Sequence, residues 1–78
     1  MKIVHTDYWI KKRFLKRKDI TDDLIEYALQ YSMIIKDRNY EERFNAIHRI
    51  PPNGRTLKVV YEWVEKGKIK IITAYWLD

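Results

Sequence analysis

The last third of the chain restricts the fold most. Two alternating segments, Thr56 to Glu65 and Lys68 to Leu77, are joined through Glu65, Lys66 and Gly67, a linkage short enough for an antiparallel hairpin. In the first, Leu57, Val59, Tyr61 and Trp63 alternate with Lys58, Val60 and Glu62. In the second, Ile69, Ile71, Thr73 and Tyr75 alternate with Lys70, Ile72, Ala74 and Trp76. A period of two assigns one set to a core face and the other to an open face of an antiparallel sheet. Upstream, Pro51, Pro52, Asn53 and Gly54 combine fixed φ and missing donors with an Asn-Gly step that accepts positive φ, so the chain turns back there. Before that turn, Phe44 to Ile50 and the short apolar Met33 to Lys36 read as further strands.

A sheet with one apolar face needs a cover, and the N-terminal half supplies it. Thr21 is placed to cap a helix running to about residue 32, with Asp22 and Asp23 where the helix dipole favours negative charge. Ile20 and Ile25 have the spacing of a hydrophobic staple. Leu24, Ile25, Tyr27, Ala28, Leu29 and Tyr31 span a wide apolar arc opposite Asp22, Asp23, Glu26 and Gln30. An earlier helix is expected over residues 7 to 18, with Asp7 as its cap. On it, Lys12, Arg13, Lys16 and Arg17 form a continuous basic arc that includes Trp9. Ile10 and Phe14 lie beside that arc, with Leu15 and Tyr8 beyond. The expected architecture is α+β: two N-terminal helices packed on a three- to four-stranded antiparallel sheet, one domain spanning residues 1 to 78.

With 78 residues and no cysteine, the chain has neither disulfide staples nor a thiolate metal site, so packing, helped by a partner, must stabilise it. Met1 is followed by the mixed segment Lys2 to Asp7, which is no signal-peptide core, and no apolar run approaches the roughly 20 residues that span a bilayer. A soluble, cytoplasmic protein without a membrane partner is expected. There is no His-x-x-x-His, no regular aspartate spacing and no phosphate-cradling glycine loop, so neither metal nor cofactor is expected.

Charge carries the functional signal. The net charge is +5, yet six of the sixteen bases (Lys11, Lys12, Arg13, Lys16, Arg17, Lys18) fall between positions 11 and 18, where there is no acid. The remaining ten bases meet eleven acids. Like charges at i and i+4, Lys12 with Lys16 and Arg13 with Arg17, repel without structural return. One reading is a solvated basic face; the other is a surface for polyanions, with arginines gripping phosphate oxygens and lysines acting as point charges. Trp9 offers either base stacking or half-buried packing. Lys58 and Lys70 are expected on the open side of the sheet, where an anion would relieve their repulsion. His5 and His48 titrate nearest neutrality, and His5 directly precedes the basic helix. The aromatic strands with Tyr61, Trp63, Tyr75 and Trp76 suit a core or an interface, and an outward Trp76 would mark a contact.

His5, the spaced Arg13 and Arg17, the helix start Ile20-Thr21, the strand Gly54-Arg55-Thr56-Leu57-Lys58-Val59-Val60-Tyr61, and Ile71-Ile72-Thr73-Ala74-Tyr75 resemble a widespread family of small domains of unknown function. That family in turn is similar to the BrnT and RelE/ParE toxins. The Arg17-Lys18-Asp19-Ile20 step is one residue longer than the family's pattern. The resemblance implies the toxin of a type II toxin-antitoxin pair, a metal-independent endoribonuclease. Its partners would be RNA, including ribosome-associated mRNA, and a cognate antitoxin. It also implies catalytic roles for His5, Arg13, Arg17, Arg55 and Tyr75, while the basic arc and the strand alternation themselves offer Trp9, Lys12, Arg13, Lys16, Arg17, Lys58 and Lys70 as contacts to nucleic acid. The alternatives are a non-catalytic nucleic-acid-binding module and a protein-interaction homodimer built through the aromatic sheet edge.

Overall fold

The structure, a computed structural model, describes residues 2–51 and 53–78; Pro52 of the expected turn lies outside the described residues. The element order is β1 (Lys2–His5), α1 (Asp7–Lys16), α2 (Asp22–Tyr31), β2 (Met33–Lys36), β3 (Arg43–Arg49), β4 (Thr56–Glu65) and β5 (Lys68–Trp76). The α+β class and the two helices match expectation. The sheet has five strands in the order β1-β5-β4-β3-β2, and β1 pairs parallel to β5, so the expectation of three or four antiparallel strands is corrected. Lys2 to His5 is too short and mixed in polarity to announce itself as a strand. Its edge pairing is secured from outside: Lys2 N–H donates to the Gly67 carbonyl, and Thr6 donates from its backbone and its hydroxyl to the Ile71 carbonyl.

Thr6 does a second job that corrects the expected cap. Its Oγ1 accepts from the Trp9 N–H at 3.2 Å, which makes Thr6 the N-cap of α1 and leaves Asp7 in the first turn, where its charge suits the dipole. The helix ends sooner than expected, because Arg17 leaves helical geometry. Thr21 caps α2 as expected, its Oγ1 accepting from Leu24 N–H at 3.3 Å, and the staple residues Ile20 and Ile25 are both fully buried. Each such buried Ile contributes roughly 1.5–3 kcal/mol relative to exposure.

One core joins Trp9 of α1, Ile25 and Ala28 of α2, and Ala46, Leu57, Val59, Tyr61, Ile69, Ile71 and Ala74 of the sheet. The helix α2 packs on β3 and β4, and α1 lies against β5. A bulge sets which residues share a face. Tyr61 pairs with Ile71 but Val60 pairs with Thr73, so Ile72 is unmatched and the alternation inverts beyond it. Ala74 therefore joins Val59 on the core side, while Thr73 and Tyr75 share the other side with Val60 and Lys58. Trp76 is correspondingly half-buried opposite Leu57, not an outward contact. Gly54 (φ +68°) takes the positive φ expected of the Asn-Gly step, and Gly67 (φ +78°) in the β4–β5 turn is left-handed as well.

The face that α1 buries is the largest departure. Trp9 is fully buried, with Lys12, Arg13 and Arg17 half-buried, whereas Tyr8, Ile10, Phe14 and Leu15 are all more than half exposed. Lys12, Arg13 and Arg17 of the basic arc are thus turned toward the body of the protein, while Lys16 and the apolar residues beside the arc face outward. The half-buried arginines tolerate this position because each finds a polar partner and an aromatic face, as described below.

Candidate nucleic-acid interface

Three charged clusters organise the expected site residues, two on the helix-covered side of the sheet and one on the other. The first gathers at the start of α2. Asp22 accepts from Arg13 Nη1 at 2.6 Å and lies 3.2 Å from His5 Nε2. Partial burial pushes the Asp22 carboxyl up, but the Arg13 hydrogen bond and the His5 and Arg13 charges outweigh it, so its pKa falls below the usual aspartate value. The Arg13 guanidinium also stands over the Trp9 ring at 5.5 Å. The other nitrogen of His5, Nδ1, is buried without a partner. His5 pairs with the buried Ile71 and so belongs to the helix-covered side of the sheet. An open groove of about 590 Å³ beside this cluster, lined by Ile10, Arg13, Phe14 and Asp22 among others, carries charges of both signs.

The second cluster closes the C-terminal end. Asp19, in the loop between the helices, accepts from the Trp76 indole N–H at 3.0 Å and meets Arg55 Nη1 at 3.7 Å. Arg55 lies over the Trp76 ring at 4.4 Å and donates to the Asp78 carbonyl at 3.3 Å. These contacts tie the end of β5 to the helical layer. Arg55 is therefore committed to Asp19, Trp76 and the C-terminus.

The third cluster is cationic, and among the described residues neither of its bases forms an ion pair, although the charge of Lys58 is one of the lesser causes that hold the Asp37 carboxyl below its usual value. Tyr75 pairs in register with Lys58, whose Nζ is 5.7 Å from the tyrosine ring centre, and the Arg17 guanidinium lies 5.6 Å from the same ring. Arg17 Nη1 donates to Thr73 Oγ1 at 3.3 Å, which orients it. Leaving the helix at Arg17 and inverting the strand at Ile72 are what bring these two side chains together. Beside Thr73 an open groove of about 440 Å³, lined also by Thr6, Tyr8, Arg43 and Ile72, leads toward Tyr8, over which Lys12 stands at 5.7 Å. Lys16 is exposed on the same helix. Among the described residues, Arg13 is the one base of positions 11–18 that forms an ion pair.

Of the remaining expected contact residues, Trp9 is sealed in the core and cannot stack on a base, which corrects that reading. Lys70 shares the helix-free face with Lys58, but its charge is met by Glu62 at 3.3 Å, and Arg43 Nε holds the same carboxylate at 3.0 Å. Burial pushes Glu62 up, yet its hydrogen bonds to Arg43 and Lys70 and their charges bring its pKa below the usual value. The anion expected between two facing lysines is thus a glutamate of the chain itself for one of them. Tyr8, Thr73, Asp22 and Glu62 were not read from the sequence as site residues; the i, i+4 spacing of Tyr8 and Lys12 was the one local signal available. The aromatic strands are interior, β4 between β3 and β5 and β5 between β4 and β1, so they present no edge for a dimer.

Among the described residues no helix is long and apolar enough to cross a membrane, and no three His, Asp or Glu side chains converge as metal ligands do. No curated protein and no solved structure matches the chain. The family model described as "Domain of unknown function (DUF4258)" matches residues 10–76, a span that runs from α1 to the last residue of β5 and includes all three clusters except His5, Trp9 and Asp78, so the chain belongs to that family.

Proposed function

We propose that this protein is a cytoplasmic, toxin-like RNA-directed protein that binds a phosphodiester at the Arg17–Tyr75–Lys58 cluster and cleaves it without metal. The observation that carries the proposal is a phenol flanked by two cations, neither of them in an ion pair among the described residues, on the side of the sheet that α2 leaves bare. A phosphate seated there meets the bidentate fork of Arg17 and the point charge of Lys58. Lys12 and Lys16 continue the positive field along α1.

In cleavage by this route the ribose 2′-oxygen attacks the adjacent phosphorus and its proton leaves to solvent. The P–O5′ bond breaks, and the departing oxygen takes a proton from the Tyr75 hydroxyl, leaving a 2′,3′-cyclic phosphate. Arg17 and Lys58 offset the charge that builds on the phosphorane. His5, Arg13 and Arg55 are not part of this centre: His5 and Arg13 are engaged with Asp22, and Arg55 with Asp19. A cognate antitoxin would silence the protein by covering the same cations.

A second reading, a non-catalytic RNA-binding module, is favoured by one specific feature. His5, the imidazole that the resemblance offers as a base, stands on the opposite side of the sheet from Tyr75. Incubating 5′-labelled single-stranded RNA with the protein in excess chelator separates the two. Products ending in a cyclic phosphate, lost in Arg17→Ala and strongly reduced in Tyr75→Phe, support cleavage. Salt-sensitive binding with intact RNA supports the module. Absence of salt-sensitive binding overturns both.

A further inference from the structure

The sheet edge farthest from α1 is unguarded. Among the described residues β2 is hydrogen-bonded to β3 alone, and Met33, Ile34 and Ile35 are 82%, 54% and 50% exposed. Tyr31 before the strand and Tyr40 after it are exposed as well. Natural proteins blunt such edges with proline, bulges, inward charges or a covering loop. Along Met33, Ile34 and Ile35 none of these is present: β2 is a short strand of four residues, but its register with β3 is unbroken and its one charge is Lys36 at the strand's end.

We propose that β2 pairs antiparallel with β2 of a second copy, joining two five-stranded sheets into one across a two-fold axis at Ile34. The alternation of side chains dictates the register. With the axis perpendicular to the sheet, residues directly opposite each other lie on the same face, so the axis passes through a residue and not between two. Centred on Ile34, that residue meets its own counterpart on the helix side. Lys36 meets the partner's Ser32 on that same side, and on the other side Met33 meets the partner's Ile35. Centring on Ile35 instead would set Lys36 against the partner's Ile34 and Asp37 against the partner's Met33, which breaks the apolar pairs.

The distribution of charge selects a second copy as the occupant. All six bases of positions 11–18 ride at the β5 end of the sheet, whereas residues 33–42 carry two bases (Lys36, Arg38) and three acids (Asp37, Glu41, Glu42). Two net-positive copies therefore meet at the one edge where neither presents an excess of positive charge. A nucleic acid has no apolar complement to Met33, Ile34 and Ile35 and no peptide ladder to offer. Pairing in this way separates the two copies of β5 by seven strand spacings, about 34 Å at ~4.8 Å each. If the phosphate-binding reading holds, two Arg17–Tyr75–Lys58 clusters then face one strand of RNA and bind it with avidity.

The absence of cysteine makes the test clean. Light scattering and sedimentation equilibrium over a rising concentration series should show the mass climbing from 9.6 kDa toward twice that value, and Ile34→Lys should hold it at 9.6 kDa with an unchanged circular dichroism spectrum. Under mild oxidation Ile34→Cys should cross-link to a dimer, because each residue 34 faces its counterpart, while Met33→Cys and Leu15→Cys stay monomeric. A constant monomer mass at every concentration overturns the proposal. So does a dimer that survives Ile34→Lys, or one that cross-links through Leu15→Cys and not through Ile34→Cys. None of these readouts depends on RNA, so failure here leaves the function proposed above standing, and the converse holds as well.

Discussion

Replacing Arg17 with Ala tests the phosphate site by the salt dependence of binding and not by affinity alone. Among the described residues, the bases of the interface that form no ion pair are Lys12, Lys16, Arg17 and Lys58. If each neutralises one phosphate of a single strand, the slope of log K against log salt is about −2.8, so affinity falls about 50-fold from roughly 50 to 200 mM salt. Removing Arg17 takes away one contact, and the slope should relax to about −2.1, a loss of about 20-fold over the same range. Fluorescence anisotropy of a labelled oligouridylate across a salt series measures both slopes. Arg55→Ala is the control, because the Asp19 carboxylate already meets its charge at 3.7 Å; its slope should remain that of the unmodified protein. A steep slope that Arg17→Ala leaves untouched, or one that Arg55→Ala relaxes equally, refutes the assignment of the phosphate to this cluster.

Three further outcomes follow from burial and charge. Trp9→Ala should cost about 3–5 kcal/mol in urea-induced unfolding because it empties a fully buried site. Phe14→Ser, at a position 68% exposed, should stay within about 0.5 kcal/mol of the original; a large loss there would show that α1 buries the other face. Asp22 and Glu62 have folded pKa values below their ordinary 3.8 and 4.5, so each contributes stability that is complete above its unfolded value and is lost as pH falls through its folded one. Thermal melts of Glu62→Gln should accordingly be less stable than the unmodified protein at pH 7 and converge on it in acid; parallel curves would remove Glu62 from the acid-sensitive groups.

How far the sequence reveals the site depends on whether a side chain's partner is near or far along the chain. The staple of Ile20 and Ile25, the Thr21 cap and the β4–β5 hairpin all close within a few residues, and their spacing announced each of them. The orientation of α1 does not. Periodicity shows that Trp9 shares an arc with Arg13 and Arg17, and it treats that arc as polar. Which face turns inward is settled by Asp22, Thr73 and Tyr75, which supply partners for the two arginines from 9, 56 and 58 positions away. Once those contacts exist, burying Trp9 gains a large apolar area without stranding a charge, and Ile10 and Phe14 are left in solvent. The short parallel strand β1 escaped notice for the same reason, its hydrogen bonds lying on Gly67 and Ile71 at the far end of the chain.

The bulge at Ile72 was hidden because neither Gly nor Pro marks it, and its effect reaches the chemistry. Strict alternation would have placed Thr73 and Tyr75 beside Ile71 under the helices and left Lys58 facing a different partner. One unmatched residue instead moves Tyr75 to the face that holds Lys58 and hands Thr73 to Arg17. The basic run that dominates the sequence is therefore only half of the candidate site. The other half is created by a single extra residue in β5, and deleting Ile72 should return Tyr75 to the core side. A variant with that deletion that still folds and still shows the full salt slope would separate RNA binding from the Arg17–Tyr75–Lys58 cluster.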